Sequence, residues 1–154
     1  LTGENNGHQV QLSIYLGGMQ KIYSAEDFVE SDFITNAQKV ALTNSVYKFS
    51  FDGSQACKIA LNDTLIKDIG ANTQNYIVEI QNTGKAVAYK LYATYENFGR
   101  VEFRSGTLET GANKLELDNF SAVNWERNGK LKSLEFVIEG VQSIGISRIV
   151  VYGN

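Results

Sequence analysis

Apolar and polar residues alternate with the two-residue period of a β-strand along most of this chain. Over His8–Tyr15, Val10, Leu12 and Ile14 share one face and Gln9, Gln11, Ser13 and Tyr15 the other, which predicts a half-buried strand. Gly17-Gly18 permits a tight turn into a strand over residues 20–23. Ser24, with Asp27 three residues on, predicts one short helical turn capped by Ser24. Residues 25–34 are otherwise a connection anchored by Phe28, Phe33 and Ile34. Residues 38–42 and 46–51 predict consecutive strands across Thr43-Asn44-Ser45, with Tyr47, Phe49 and Phe51 on one face. Asp52-Gly53 turns the chain into a strand over 56–61, Asn62-Asp63 turns it again, and 69–75 reads as a polar loop.

The second half repeats the pattern. Strands are predicted at 76–80 and 87–95, and Asn82-Thr83-Gly84-Lys85 between them predicts a β-hairpin. In the second of these strands Tyr89, Leu91, Ala93 and Tyr95 alternate with Ala88, Lys90, Tyr92 and Thr94. The latter row is the more polar and is assigned to the outside. Residues 95–100 form a hairpin tip, and 100–104 a strand with Arg100, Glu102 and Arg104 on one face and Val101 and Phe103 on the other. Further strands fall at 114–117, 134–138 and 146–152, and a long loop over 120–130 carries Trp125. Nine or ten strands without a helix longer than two turns predict an all-β fold, an antiparallel β-sandwich of jelly-roll type. No internal repeat or low-complexity tract interrupts it.

Composition narrows the classes. The 154 residues fit one β-sandwich module, 1–154, long enough to bury a core. Lys and Arg are scattered and the net charge is −3, which argues against nucleic acid. The longest apolar runs are of strand length, short of the roughly 20 residues that a membrane-spanning helix needs. The single cysteine, Cys57, forms no internal disulfide and reads as a small buried hydrophobe. Absence of proline rules out a proline-rich linker. The chain opens on Leu1 and stops just past its last strand, so it reads as a module excised from a longer multimodular protein.

Residues 76–152 carry a family pattern. A Y-I-V-E-I-x-N-x-G strand (Tyr76 through Gly84) is followed by a long strand over 87–95. Then come Gly111-Ala112-Asn113 leading to Leu115 and Leu117, the turn Val123-Asn124-Trp125, an L-x-F-x-I strand from Leu134, and a final I-x-x-I-V-V-Y strand. This half of the chain resembles carbohydrate-binding modules with a galactose-binding-domain-like β-sandwich. The resemblance implies an extracellular, non-catalytic module appended to a secreted glycoside hydrolase. Such a module holds polysaccharide on a concave sheet face or in loops at one end; it requires no cofactor and admits a structural calcium ion.

Sugar recognition needs flat aromatic faces flanked by polar side chains. Among eight tyrosines, eight phenylalanines and one tryptophan, Tyr92 beside Lys90 is the leading platform. Tyr95, Phe98 and Arg100 mark the hairpin tip. Arg100 and Arg104 either bind hydroxyls and uronate carboxylates or, with Glu102, form a solvated ion-paired face. Trp125 is either a core anchor, as the resembling modules imply, or a platform. Tyr15 and Tyr23 flank the Gly17-Gly18 turn as further candidates for exposure. For calcium, the weak candidates are Glu26, Asp27 and Asp32. His8 is the only histidine, so no histidine cluster for zinc exists, and no nucleophile partner is recognisable. Catalysis by a pair such as Glu26/Asp27 or Glu135/Glu139 is not expected on so small a sandwich. The contrasting reading is a structural or protein-interaction sandwich of a cell-surface or extracellular protein, in which the aromatics serve packing alone.

Overall fold

The computed structural model of the chain describes residues 2–5, 8–15, 18–66, 74–117 and 131–153. Its strands are β1 (Thr2–Asn5), β2 (His8–Tyr15), β3 (Gly18–Ser24), β4 (Phe33–Thr35), β5 (Lys39–Thr43), β6 (Val46–Ser50), β7 (Cys57–Leu61), β8 (Gln74–Asn82), β9 (Val87–Tyr95), β10 (Gly99–Leu108), β11 (Gly111–Leu117), β12 (Leu131–Ile138) and β13 (Ser143–Gly153). They form two sheets, of eight and five strands, with every pairing antiparallel. The all-β antiparallel sandwich expected from the alternation is the observed architecture.

Strand β13 is the axis of the larger sheet. Its N-terminal part pairs with β6 and its C-terminal part with β3, while β8 runs along its other edge with β11 beyond. The smaller sheet has the order β10-β9-β12-β7-β4. The β5–β6 turn is a two-residue loop with positive φ at both Asn44 and Ser45, the geometry that matches strand twist in a tight hairpin.

One correction concerns residues 82–85. They do not close a hairpin: β8 lies in the larger sheet and β9 in the smaller, so the chain arches from one sheet to the other. Asn82 holds the arch. Its buried amide donates to the carbonyls of Lys85 and Leu108, at 3.0 and 3.1 Å, and its side-chain oxygen accepts the Gly84 N–H at 3.0 Å. Turn chemistry specified a reversal here, but the partners of each strand are set by distant residues.

The core lies between the sheets. On β9 Tyr89, Leu91, Ala93 and Tyr95 are buried, and the row of Ala88, Lys90, Tyr92 and Thr94 faces outward, as the alternation predicts. Phe136 and Ile138 join them from the neighbouring β12, and Tyr76, Val78, Ile80, Ile144 and Ile149 come from the facing larger sheet. Each fully buried side chain of this kind contributes about 1.5–3 kcal/mol. Phe28, Phe33, Tyr47 and Phe49 close one region as an edge-to-face and stacked cluster, with ring centroids 5.2–5.7 Å apart. Tyr23, a candidate for exposure, belongs to this core instead, stacked against Phe28 at 6.4 Å.

The helical turn predicted after Ser24 is a 3-10 turn, Ala25–Asp27, and a second, Glu30–Asp32, follows it. The Ser24 N–H donates to Asp27 Oδ2 at 2.8 Å, and the Val29 N–H donates to Asp32 Oδ2 at 2.8 Å. In each turn the carboxylate three residues on thus satisfies the backbone N–H that precedes the helix.

Candidate functional site

The outer face of the larger sheet carries a groove of about 250 Å³. Register builds it. Lys114, Glu79 and Arg148 stand opposite one another on β11, β8 and β13. Ile77 and Val150 are opposite one another one step along, and Tyr152 stands opposite Gln20 of β3 beyond them. The result is an apolar floor with a tyrosine at one end and an acid, a guanidinium, an ammonium and an amide around it. Pyranose rings, with apolar C–H faces and hydroxyl rims, suit such a mixture. The polar groups are not locked to one another. Arg148 Nε lies 3.7 Å from Glu79 Oε2, an ion pair too long for a hydrogen bond, and Lys114 Nζ lies 3.8 Å from Glu116 Oε1. Asn75, opposite Tyr152, is buried and its Oδ1 has no hydrogen-bond partner among the described residues.

The outer face of the smaller sheet carries the residues expected from sequence. Tyr92 is flanked in register by Glu102 on β10 and Glu135 on β12. Arg100 reaches across it. Its guanidinium carbon sits 3.6 Å from the centre of the Tyr92 ring, and one terminal nitrogen meets Glu135 Oε1 at 2.7 Å. Lys90 Nζ is 3.5 Å from Glu102 Oε1. The ring face intended as a platform is thus covered by an arginine from the same module. Phe98 is 60% exposed at the β9–β10 turn.

Two expectations change. Tyr95 is a core residue, 3% exposed, because it falls in the inward row of β9 rather than in the turn; burial pushes its phenol pKa up. Arg104 does not share a face with Arg100 and Glu102. A β-bulge after Glu102 shifts the register and sets Arg104 opposite the buried Leu91. Trp125 and the side chain of Tyr15 lie outside the described residues.

Glu26, Asp27 and Asp32 do not converge. Glu26 is exposed and Asp27 caps Ser24. Asp32 is fully buried: Oδ1 accepts the Thr64 hydroxyl at 2.6 Å, and Oδ2 accepts the Val29 N–H. Among the described residues no group of three His, Cys, Asp or Glu side chains is placed to hold a metal ion. The Asp32 charge acts on its neighbours. The Tyr23 phenol is pushed up to about 12 by burial first and by Asp32 and Asp27 next; Tyr47 is raised by burial, Glu30 and Asp32. Cys57 is buried with its thiol donating to the Val141 carbonyl at 3.2 Å, and burial raises its pKa.

A cleft of about 520 Å³ opens at the loop end, between residues 82–87 and 140–143. Among the described residues no aromatic side chain lines it, and the Asn82 side chain is engaged in the arch. The groove is hard to see in sequence because apolar residues dominate β13. The charged positions inside strands, Glu79, Lys114 and Arg148, were the signal that four outward rows meet there.

No protein-family model and no curated protein sequence matches the chain. Solved structures do share its fold. A Glu-to-Arg variant of a family 29 carbohydrate-binding module has a TM-score of 0.60 at 8% identity, covering 88% of this chain and 92% of that one. A family 29 module complexed with mannohexaose gives 0.58 at 10% identity, covering 93% of this chain and 92% of that one. PfGH50B gives 0.60 at 16% identity over 81% of this chain, which spans only 22% of PfGH50B. At such identities the likeness is one of fold. The chain has the β-sandwich of carbohydrate-binding modules, as residues 76–152 imply.

Proposed function

We propose that this chain is a non-catalytic carbohydrate-binding module that holds a polysaccharide in the groove of the larger sheet. The observation that carries the reading is the convergence of Tyr152, Gln20, Glu79, Lys114 and Arg148 over an Ile77/Val150 floor on four neighbouring strands. Rigid strands position these groups better than loops do, and an open groove admits a chain rather than a chain end. Family 29 modules of the same fold have been obtained with mannohexaose and cellulohexaose, so the natural trial ligands are neutral β-linked hexose chains.

In the parent protein the module is secreted and tethers a glycoside hydrolase to its substrate by raising local concentration. Among the described residues no helix is long and apolar enough to cross a membrane. Affinity electrophoresis against soluble mannans, β-glucans, xylan and galactans, with and without EDTA, tests the reading. Retardation by a neutral glycan supports it; mobility unchanged in all of them would sink it. The second reading, a protein-docking sandwich, draws on Ile34 and Leu42, exposed at 62% and 50% on the outermost strands β4 and β5. It predicts association with a protein and indifference to glycans.

A further inference from the structure

We propose that the outer face of the smaller sheet is a second saccharide contact, one that takes uronate-bearing chains through Arg100, Lys90 and Lys58. It lies on the opposite side of the sandwich and does not depend on the groove.

The arrangement follows from register. Lys58 on β7 and Lys90 on β9 both stand opposite Val137 of β12. Two ammonium groups therefore flank one small apolar side chain, on strands roughly 9.5 Å apart. Lys90 is paired with Glu102 by a solvent-exposed contact of 3.5 Å. Lys58 is exposed and its ammonium has no ion pair among the described residues. Arg100 is engaged by Glu135 and Lys90 by Glu102, and exposed Glu139 follows Val137 just past the end of β12, so Lys58 is the cation of this face left without an ion pair among the described residues.

Arg100 supplies the directional element. Stacking on Tyr92 fixes the plane of its guanidinium, and the contact with Glu135 uses one terminal nitrogen. A guanidinium has five N–H donors in a rigid fork, so a planar pair of donors remains for a carboxylate. A neutral pyranose would have to displace the guanidinium from the ring to stack there. A uronate can instead add to the stacked arginine and extend toward Lys90 and Lys58. The same stack that closes Tyr92 to neutral sugar presents a carboxylate site.

The test is calorimetric titration of the intact chain with oligogalacturonate at low and raised NaCl, beside a neutral galacto-oligosaccharide and polyglutamate. Oligogalacturonate is expected to bind with an affinity that falls as salt rises. Arg100→Ala and Lys58→Ala should each weaken it by about five- to tenfold, Lys58→Ala with unchanged melting temperature because its side chain is exposed and has no ion pair among the described residues. Arg100→Lys should also weaken it, because charge without the fork is insufficient. Tyr152→Ala should leave it unchanged, which separates this face from the groove. Three results would overturn the proposal: no heat with oligogalacturonate at low salt, equal binding of polyglutamate, or affinity indifferent to Arg100 and Lys58.

Discussion

Replacing Asp32 by alanine should destabilise the module strongly, and by an amount the structure allows to be estimated. Its carboxylate is fully buried and accepts hydrogen bonds from the Thr64 hydroxyl at 2.6 Å and the Val29 N–H at 2.8 Å. Its own carbonyl accepts the Asn62 N–H at 2.8 Å, so the residue fastens the second 3-10 turn to the bend after β7. Truncation leaves at least these two donors without their partner, each at a cost of about 1–3 kcal/mol, so a total loss of about 2–6 kcal/mol is expected. Asp32→Asn keeps the shape and one acceptor, and the Thr64 hydroxyl can turn to accept from the new amide. Its cost should be about 1–2 kcal/mol, the difference between charged and neutral hydrogen bonds. Urea unfolding followed by circular dichroism measures both, with EDTA added in parallel to the wild type. Because protein donors fill the carboxylate, EDTA should not reproduce the Asp32→Ala loss. An Asp32→Ala variant within 0.5 kcal/mol of wild type, roughly the range of neutral surface changes, would refute the reasoning. So would EDTA destabilising the wild type to the same degree, since Asp32 would then be serving a metal ion.

Alkaline pH should weaken the fold through Tyr23. Its folded pKa is raised to about 12 from an ordinary 10, so its contribution is whole below pH 10 and is lost between pH 10 and 12, by about 1.4 kcal/mol per pH unit. Tyr23→Phe should flatten that part of a stability–pH curve. Tyr95→Phe should leave stability unchanged or raise it by up to about 1 kcal/mol, because the buried Tyr95 hydroxyl has no hydrogen-bond partner among the described residues; urea unfolding reads this. Gly145→Ala should cost about 1–3 kcal/mol, since a Cβ there would overlap Val46 Cγ1 across the β6–β13 pairing. Val46→Ala in the same chain should recover most of that loss in a double-mutant cycle.

Legibility from sequence divided along a physical line. Local alternation was enough to assign the faces of β9, because Lys90 and Tyr92 against Leu91 and Tyr95 encode inside and outside with period two. It also placed Ser24 and Asp27 at the start of a helical turn, which capping chemistry specifies within four residues. It failed wherever the answer lay in a distant strand. Asn82-Thr83-Gly84 announces a reversal but cannot say that β8 and β9 belong to different sheets. The bulge after Glu102 leaves no mark in the alternation of Arg100, Glu102 and Arg104, yet it moves Arg104 off their face. Arg100 lying over Tyr92 is a tertiary event, invisible at an eight-residue spacing on two antiparallel strands. The groove needed four strands from four separate regions of the chain. Its residues were each visible as polar interruptions of apolar strands, but their meeting was not.

The central claim is tested most directly by calorimetric titration of wild type and Tyr152→Ala with mannohexaose and cellulohexaose, with Arg148→Ala as a second, solvent-exposed variant. At least one hexasaccharide should bind wild type. Tyr152→Ala should weaken that binding by roughly tenfold or more, about 1.4 kcal/mol, and Arg148→Ala should weaken it at an unchanged melting temperature. Wild type that binds neither sugar, or variants that melt normally and bind as wild type does, would contradict the groove as the carbohydrate site.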